Sequence, residues 1–213
     1  MNSRTLPKRR GLYLLTPDEM DTARLVARVS AVLGEKPALL QYRNKLADAA
    51  LRREQALALL PLCEAGHVPL LINDDWQLAA DIGAAGAHLG RGDGALAQAR
   101  RGLGPTAILG ASCYDQLDLA LKAHEAGASY VAFGAFFDSG TKPHARRAPL
   151  GLLAQARAFG LPTVAVGGIT PDNARIVLAA GADLVAVLGA VFEAADPAAA
   201  TRALISCFNP DPQ

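Results

Sequence analysis

Eight short apolar runs recur along the chain: "LYLL" from Leu12, "ALLQY" from Ala38, "PLLI" from Pro69, "AHL" from Ala87, "AILGAS" from Ala107, "YVAF" from Tyr130, "TVAV" from Thr163 and "LVAV" from Leu184. Each is too short for a helix and apolar on both alternating positions, the pattern of a strand buried on both faces of a parallel sheet. Between them lie Ala- and Leu-rich segments with helical spacing, such as Leu51, Ala56, Leu59, Leu60 and Cys63. Gly66, Gly86, Gly127, Gly160 and Gly181 follow such segments, where a left-handed helix stop favours glycine. "AGA" precedes an apolar run at 85–87, 126–128 and 180–182, so the strand-helix unit repeats. Eight units in 213 residues fit an α/β fold of the (β/α)8 TIM-barrel type in a single domain. A doubly wound open sheet is the rival; the count of eight and the lack of G-x-G-x-x-G after the first run speak against it.

At 51% hydrophobic and 19% charged, the chain has material for one extensive core. Residues 1–10 read as a flexible basic arm, 11–208 as the barrel and 209–213 as a C-terminal tail. The 21 basic and 20 acidic residues nearly cancel, so no global field draws in nucleic acid or an anionic membrane. Cys63, Cys113 and Cys207 are odd in number and widely spaced, which suits reduced thiols rather than a disulfide framework or a zinc site. "GLYLL" is too short for a signal-peptide core, and no uncharged apolar run reaches membrane-spanning length. A soluble, cytoplasmic protein is expected. The sequence does not choose between a monomer and a homodimer.

In such a barrel the reactive groups gather where strands end. After the second run, Gln41, Arg43 and Lys45 alternate, so an extended continuation sends all three to one side. Two cations and an amide suit a polyanion, or else a solvated strand end. The third run delivers Asn73, Asp74 and Asp75, and "LGRGD" after the fourth ends in Asp93. These are hard oxygen donors of the kind Mg2+ takes alongside substrate phosphates. Helix N-capping is an equal claim on each aspartate. Ser112, after the fifth run, can donate a hydrogen bond to substrate. His124 lies too far along the next helix to serve it as a base, and Cys113 reads as a packing side chain. His88 reads as a hydrogen-bonded core histidine; neither it nor His144 has a second histidine at ligand spacing.

The sixth run opens a long connection containing Ser139, Gly140, Thr141, Lys142, Arg146 and Arg147, suited to closing over a ligand. Lys142 sits among other cations in a polar loop, which favours phosphate binding over a Schiff base. After the seventh run Gly167 and Gly168 let backbone approach an anion, with a helix beginning at Pro171 or Asp172; the eighth runs into Gly189. Loops in these two places commonly hold phosphate.

Together, "QYRNK", "INDD", "GAHLGRGD", "GAS", "FGAFF" followed by "TK", and "VGGITPDNA", in this order between "GLYLLT" and "LVAVLGAVF", resemble the thiamine-phosphate synthase family. The resemblance implies an enzyme, a transferase that condenses hydroxymethylpyrimidine diphosphate with thiazole phosphate, giving thiamine monophosphate and pyrophosphate. It implies Gln41, Arg43, Lys45, Asn73 and Lys142 on the pyrimidine diphosphate, Ser112 near the pyrimidine, and Asp74 and Asp93 on Mg2+. It implies Ser139, Thr141, Gly167 or Gly168 and the Leu188 to Gly189 turn on the thiazole phosphate. Arg43, Lys45 and Lys142 then stabilise the departing pyrophosphate, and no protein nucleophile is required. The chain departs from the family where a Pro-Thr-x-Thr-Lys run is common and it has Asp138, Ser139, Gly140, Thr141 and Lys142. It departs again at Gly189, often a serine, and at Tyr114, often a histidine. A related thiazole tautomerase would not need the two aspartates or the Gln41, Arg43, Lys45 cluster. A non-catalytic sensor of a phosphate metabolite would bind without turnover.

Overall fold

The computed structural model describes Leu6 and residues 10–92, 95–138 and 147–209. All eight apolar runs form strands: β1 (Gly11–Leu15), β2 (Leu39–Tyr42), β3 (Leu70–Asn73), β4 (Gly86–Leu89), β5 (Ile108–Tyr114), β6 (Tyr130–Phe133), β7 (Thr163–Val166) and β8 (Leu184–Val187). They close into a barrel in sequence order. The seam is parallel like the rest, with Leu12 opposite Val185 and Tyr13 opposite Ala186. Around it run α1 (Thr22–Leu33), α2 (Ala49–Gly66), α3 (Trp76–Ile82), α4 (Leu96–Leu103), α5 (Leu117–Glu125), α6 (Gly151–Ala156), α7 (Ala174–Ala179), α8 (Gly189–Phe192) and α9 (Pro197–Ser206). This is the TIM barrel expected from the eight-fold repeat.

Strand alternation splits the apolar material into two layers. Leu12, Leu14, Leu40 and Ile72 face outward into a shell with Leu25, Val29, Leu59 and Cys63 from the helices. Tyr13, Leu39, Leu71, Tyr130, Val164 and Leu184 fill the barrel interior, and Leu6, from the segment read as an arm, is buried with them. Each fully buried aliphatic of this kind contributes roughly 1.5–3 kcal/mol. With both faces covered, a polar strand residue needs a buried partner: Thr163, opening β7, donates to the Gly181 carbonyl at 3.0 Å, and Gln41 and His88 are likewise buried.

Helix ends follow the expected chemistry with local shifts. Asp75 is the N-cap of α3, its carboxylate accepting from Leu78 N at 2.8 Å. Gly66 is the last residue of α2, and His67 takes the left-handed position instead. Gly86 is not a helix stop: Gly83 ends α3, while Gly86 opens β4 where an added Cβ would lie 1.8 Å from the Ile108 carbonyl oxygen. Close strand approach, not a cap, requires that glycine. The helix after β7 begins at Ala174, two residues beyond Asp172, because Asn173 first closes a turn with Thr170. Among the described residues, no helix is long and apolar enough to cross a membrane.

Candidate active site

At the C-terminal ends of the strands opens a cavity of about 760 Å3. Arg43, Ser112, Gly167, Gly168, Leu188 and Gly189, all singled out from the sequence, line it. Strands β2, β5, β7 and β8 therefore aim their terminal residues at one volume, as barrel geometry dictates.

The end of β2 is held by β1. Thr16 Oγ1 donates to the Arg43 carbonyl and accepts from Arg43 N, both at 2.8 Å. Asp18 then takes the Arg43 guanidinium at 3.0 Å and Lys45 N at 2.6 Å. Arg43 is thereby fixed with its side chain only 17% exposed, and Lys45 extends to pair with Asp74. Asn44, between them, turns the other way and donates to the Glu19 carbonyl at 2.6 Å. Asp18 was missed by sequence reasoning; its signal was an acidic residue just after the first strand, facing two cations after the second.

Asn73 closes β3 opposite His88. Asp74 follows in a left-handed conformation, φ 64°, with its N–H donating to the His88 carbonyl at 2.8 Å. That kink breaks the strand and separates the two aspartates. Asp75 turns to cap α3, while Asp74 turns its carboxylate to the Lys45 ammonium. Asp74 and Lys45 are not among the residues that line the cavity, but a carboxylate that already attracts a cation is chemistry that fits Mg2+. Among the described residues no group of three acidic, histidine or cysteine side chains is gathered. Asp93 lies outside the described residues, so Asp74 is the described member of the expected pair.

Below the cavity the polar interior is linked. Gln41 Nε2 donates to the Tyr13 hydroxyl at 2.5 Å, and Tyr13 and Tyr130 hydroxyls meet at 2.7 Å. His88 Nδ1 meets Tyr130 at 2.9 Å and its Nε2 meets Ser112 Oγ at 2.9 Å. Burial pushes His88 down to about 4, against a smaller opposing pull from the Asp74 charge, so its imidazole is neutral near pH 7. Burial raises Tyr13 and Tyr130, keeping both hydroxyls protonated. His88 is the hydrogen-bonded core histidine expected, but its contact with Ser112 was not foreseen. His124 is exposed on α5, away from Ser112. Cys113 is fully buried, its thiol pushed up to about 12, and is inert packing.

Across the cavity, Gly167 and Gly168 adopt φ 101° and 63°. A Cβ at Gly167 would lie 2.5 Å from that of Ala135, and one at Gly168 would lie 2.2 Å from the Asp138 carbonyl oxygen. Both conformation and space demand glycine. Asn173 Nδ2 donates to the Gly168 carbonyl at 3.0 Å and pins the turn. In α8, Val191 and Phe192 N–H both reach Leu188 O, which leaves Gly189 and Ala190 N–H ahead of the intrahelical ladder. Where a serine Cβ would stand at Gly189, the Glu193 carboxylate lies 3.2 Å away, and Glu193 also lines the cavity. Sequence reasoning missed this acid, which appears only once α8 places it one turn beyond Gly189. Tyr114, with φ 54°, lines the cavity too and carries Arg91 over its ring at 5.6 Å. Arg147 pairs with Asp138. Ser139, Thr141, Lys142, His144 and Arg146 lie outside the described residues.

Residues 12–191 match the family described as thiamine monophosphate synthase. The chain is 54% identical over 209 residues to the thiamine-phosphate synthase of Methylobacillus flagellatus, covering 98% of this chain and 100% of that one. It is 54% identical over 203 residues to the protein of the same name from Chromobacterium violaceum, covering 95% and 98%. Among solved structures, the thiamine phosphate pyrophosphorylase from Pyrococcus furiosus matches with a TM-score of 0.82 at 32% identity, over 94% of this chain and 96% of that one. A 3-hexulose-6-phosphate synthase, at TM-score 0.69 and 20% identity over 92% and 99%, shares the fold.

Proposed function

The chain belongs to the thiamine monophosphate synthase family and is a transferase that makes thiamine monophosphate; on that premise we propose that it joins hydroxymethylpyrimidine diphosphate to thiazole phosphate with magnesium as cofactor, releasing pyrophosphate. The observation that carries the proposal is the convergence of Arg43 and Ser112 with the Gly167, Gly168 and Leu188, Gly189 turns on one cavity. The Arg43 guanidinium and two glycine-bearing turns suit two phosphate-bearing substrates held face to face.

The bond between the pyrimidine methylene carbon and the diphosphate oxygen breaks, and its electron pair leaves with pyrophosphate. Arg43 and Lys45, positioned by Asp18, meet that growing negative charge, and Lys142 adds a third cation. Asp74 and Asp93 would hold magnesium, which would supply further charge neutralisation when bound. Ser112 lies against the pyrimidine, and Gln41 and Asn73 serve the pyrimidine diphosphate. Gly167, Gly168, Ser139, Thr141 and the Leu188 to Gly189 turn hold the thiazole phosphate so that the ring nitrogen faces the cationic methylene. The nitrogen lone pair forms the new carbon–nitrogen bond, with no side chain acting as nucleophile. The apolar walls formed by Leu15, Ala132, Val166 and Ala186 keep water from intercepting the cation. Buried free thiols at Cys63 and Cys113 support a reducing, cytoplasmic setting.

Incubation of the purified protein with both substrates, with and without added Mg2+, tests the proposal by chromatography of the products. Thiamine monophosphate and pyrophosphate are expected in equal amounts only with the metal present. Absence of product at every metal concentration would rule the proposal out.

A further inference from the structure

Five side chains from five strands join in series beneath the cavity: Gln41 on β2, Tyr13 on β1, Tyr130 on β6, His88 on β4 and Ser112 on β5. From the contacts alone each hydroxyl could point either way along the series. Valence, together with the requirement that no buried hydroxyl proton goes without an acceptor, removes that freedom. The Gln41 amide nitrogen only donates, so the Tyr13 oxygen accepts from it at 2.5 Å. The buried Tyr13 proton then finds its acceptor in the Tyr130 oxygen, 2.7 Å away. Tyr130, having accepted, donates to His88 Nδ1 at 2.9 Å. A neutral imidazole carries one proton, which is therefore on Nε2 and is donated to Ser112 Oγ at 2.9 Å. The Ser112 proton, the last in the series, is left to point into the cavity that Ser112 lines.

We propose that Tyr13, Tyr130 and His88 are positioning residues that form a one-way hydrogen-bond chain, fixing Ser112 as a hydrogen-bond donor toward the substrate. The proposal rests on the substrate assignment above and extends it: the ligand atom that meets Ser112 is an acceptor, such as an sp2 ring nitrogen of a heteroaromatic ring, and not an N–H. With its Nε2 proton committed to Ser112, His88 cannot act as a base on that hydroxyl, which agrees with a reaction that needs no protein nucleophile.

The surrounding packing is built around this series. His88 stacks on Tyr130 with ring centroids 5.6 Å apart and planes 18° apart, and Tyr13 meets Tyr130 edge-on at 5.8 Å. A Cβ at Gly110 would lie 2.2 Å from the Tyr130 hydroxyl oxygen and 2.6 Å from His88 Nδ1, so the glycine on β5 leaves room for this one contact. Tyr13 and Tyr130 are 1% and 0% exposed, so bulk water does not compete for their hydroxyls.

Two measurements test the proposal. Long-range 1H–15N NMR of the 15N-histidine-labelled wild-type protein, with His88 assigned by the peak lost in His88→Gln, reads the tautomer directly. The Nε2–H form is expected, and the Nδ1–H form would overturn the proposal whatever reaction the protein performs. The second measurement is a double-mutant cycle on kcat/KM with Tyr130→Phe and Ser112→Ala. Tyr130→Phe is expected to lower kcat/KM about tenfold in the wild-type background and by less than about twofold once Ser112 is alanine. Equal losses in both backgrounds would mean that Tyr130 acts through general packing, and would sink the proposal. Should the wild-type protein make no thiamine monophosphate, the assignment of function fails while the tautomer still decides the chain.

Discussion

Asp75 accepts a hydrogen bond from Leu78 N, and Asp74, one residue earlier, holds a left-handed conformation and faces Lys45. Adjacent identical residues thus differ in what their loss removes. Asp75→Ala strips a helix cap and is expected to lower stability by about 1 kcal/mol, a fall in Tm of about 2–4 °C, with kcat/KM nearly unchanged. Asp74→Asn keeps a residue that tolerates positive φ but deletes the charge that pairs with Lys45 and would serve magnesium. Its kcat/KM is expected to fall about 100-fold or more with little change in Tm. Thermal melts and steady-state kinetics on the two variants check this division, and matching kinetic losses would contradict it. A helix cap among these aspartates was legible, because a strand must stop before a helix starts; that Asp75 is the one that caps is seen in its bond to Leu78 N. The contact between His88 and Ser112 was not legible, since it depends on the register that sets His88 opposite Gly110 on the neighbouring strand.

Strands were easier to read than helix ends. A strand buried on both faces is apolar at every position, so its signal survives in four residues. A helix stop is decided by one backbone conformation, and His67 shows that a non-glycine residue can take it when Cys63 and Glu64 carbonyls accept its N–H. The four-residue α8 gave no periodic signal at all, yet it aligns Glu193 over Gly189. A carboxylate beside a turn proposed to hold phosphate repels that ligand, and the repulsion weakens with salt. Glu193→Gln is therefore expected to lower the KM for thiazole phosphate by roughly twofold to fivefold at low ionic strength, and by less at high. Kinetics at two ionic strengths read this, and an unchanged KM at both would show that Glu193 does not face the bound phosphate.

Closure of eight strands gives the molecule an interior as well as a rim, and the two differ in how far sequence could reach them. The rim was legible in part: Arg43, Ser112, Gly167, Gly168, Leu188 and Gly189 meet at one cavity, while Gln41, Lys45, Asn73 and Asp74 are not among the residues that line it. The interior was not, because whether Gln41 or His88 lies above or below the apolar plug depends on strand stagger around the whole barrel. Burying a neutral histidine there ties the stability of the entire fold to pH. The unfolded chain binds a proton at His88 near 6.5, whereas burial delays protonation in the folded chain until about pH 4, the Asp74 charge opposing only in part. Between these values the unfolded state holds more protons, so stability rises with pH through the window and falls on acidification. The contribution is fully present above about 6.5 and diminishes by on the order of 3 kcal/mol by pH 4. Urea unfolding of wild type and His88→Gln from neutral pH down to about 4.5 isolates it, since groups shared by both proteins cancel. The wild-type protein is expected to lose more stability than the variant across that range, starting from a higher value at neutral pH. Parallel curves would mean that His88 takes up its proton as readily in the barrel as in water.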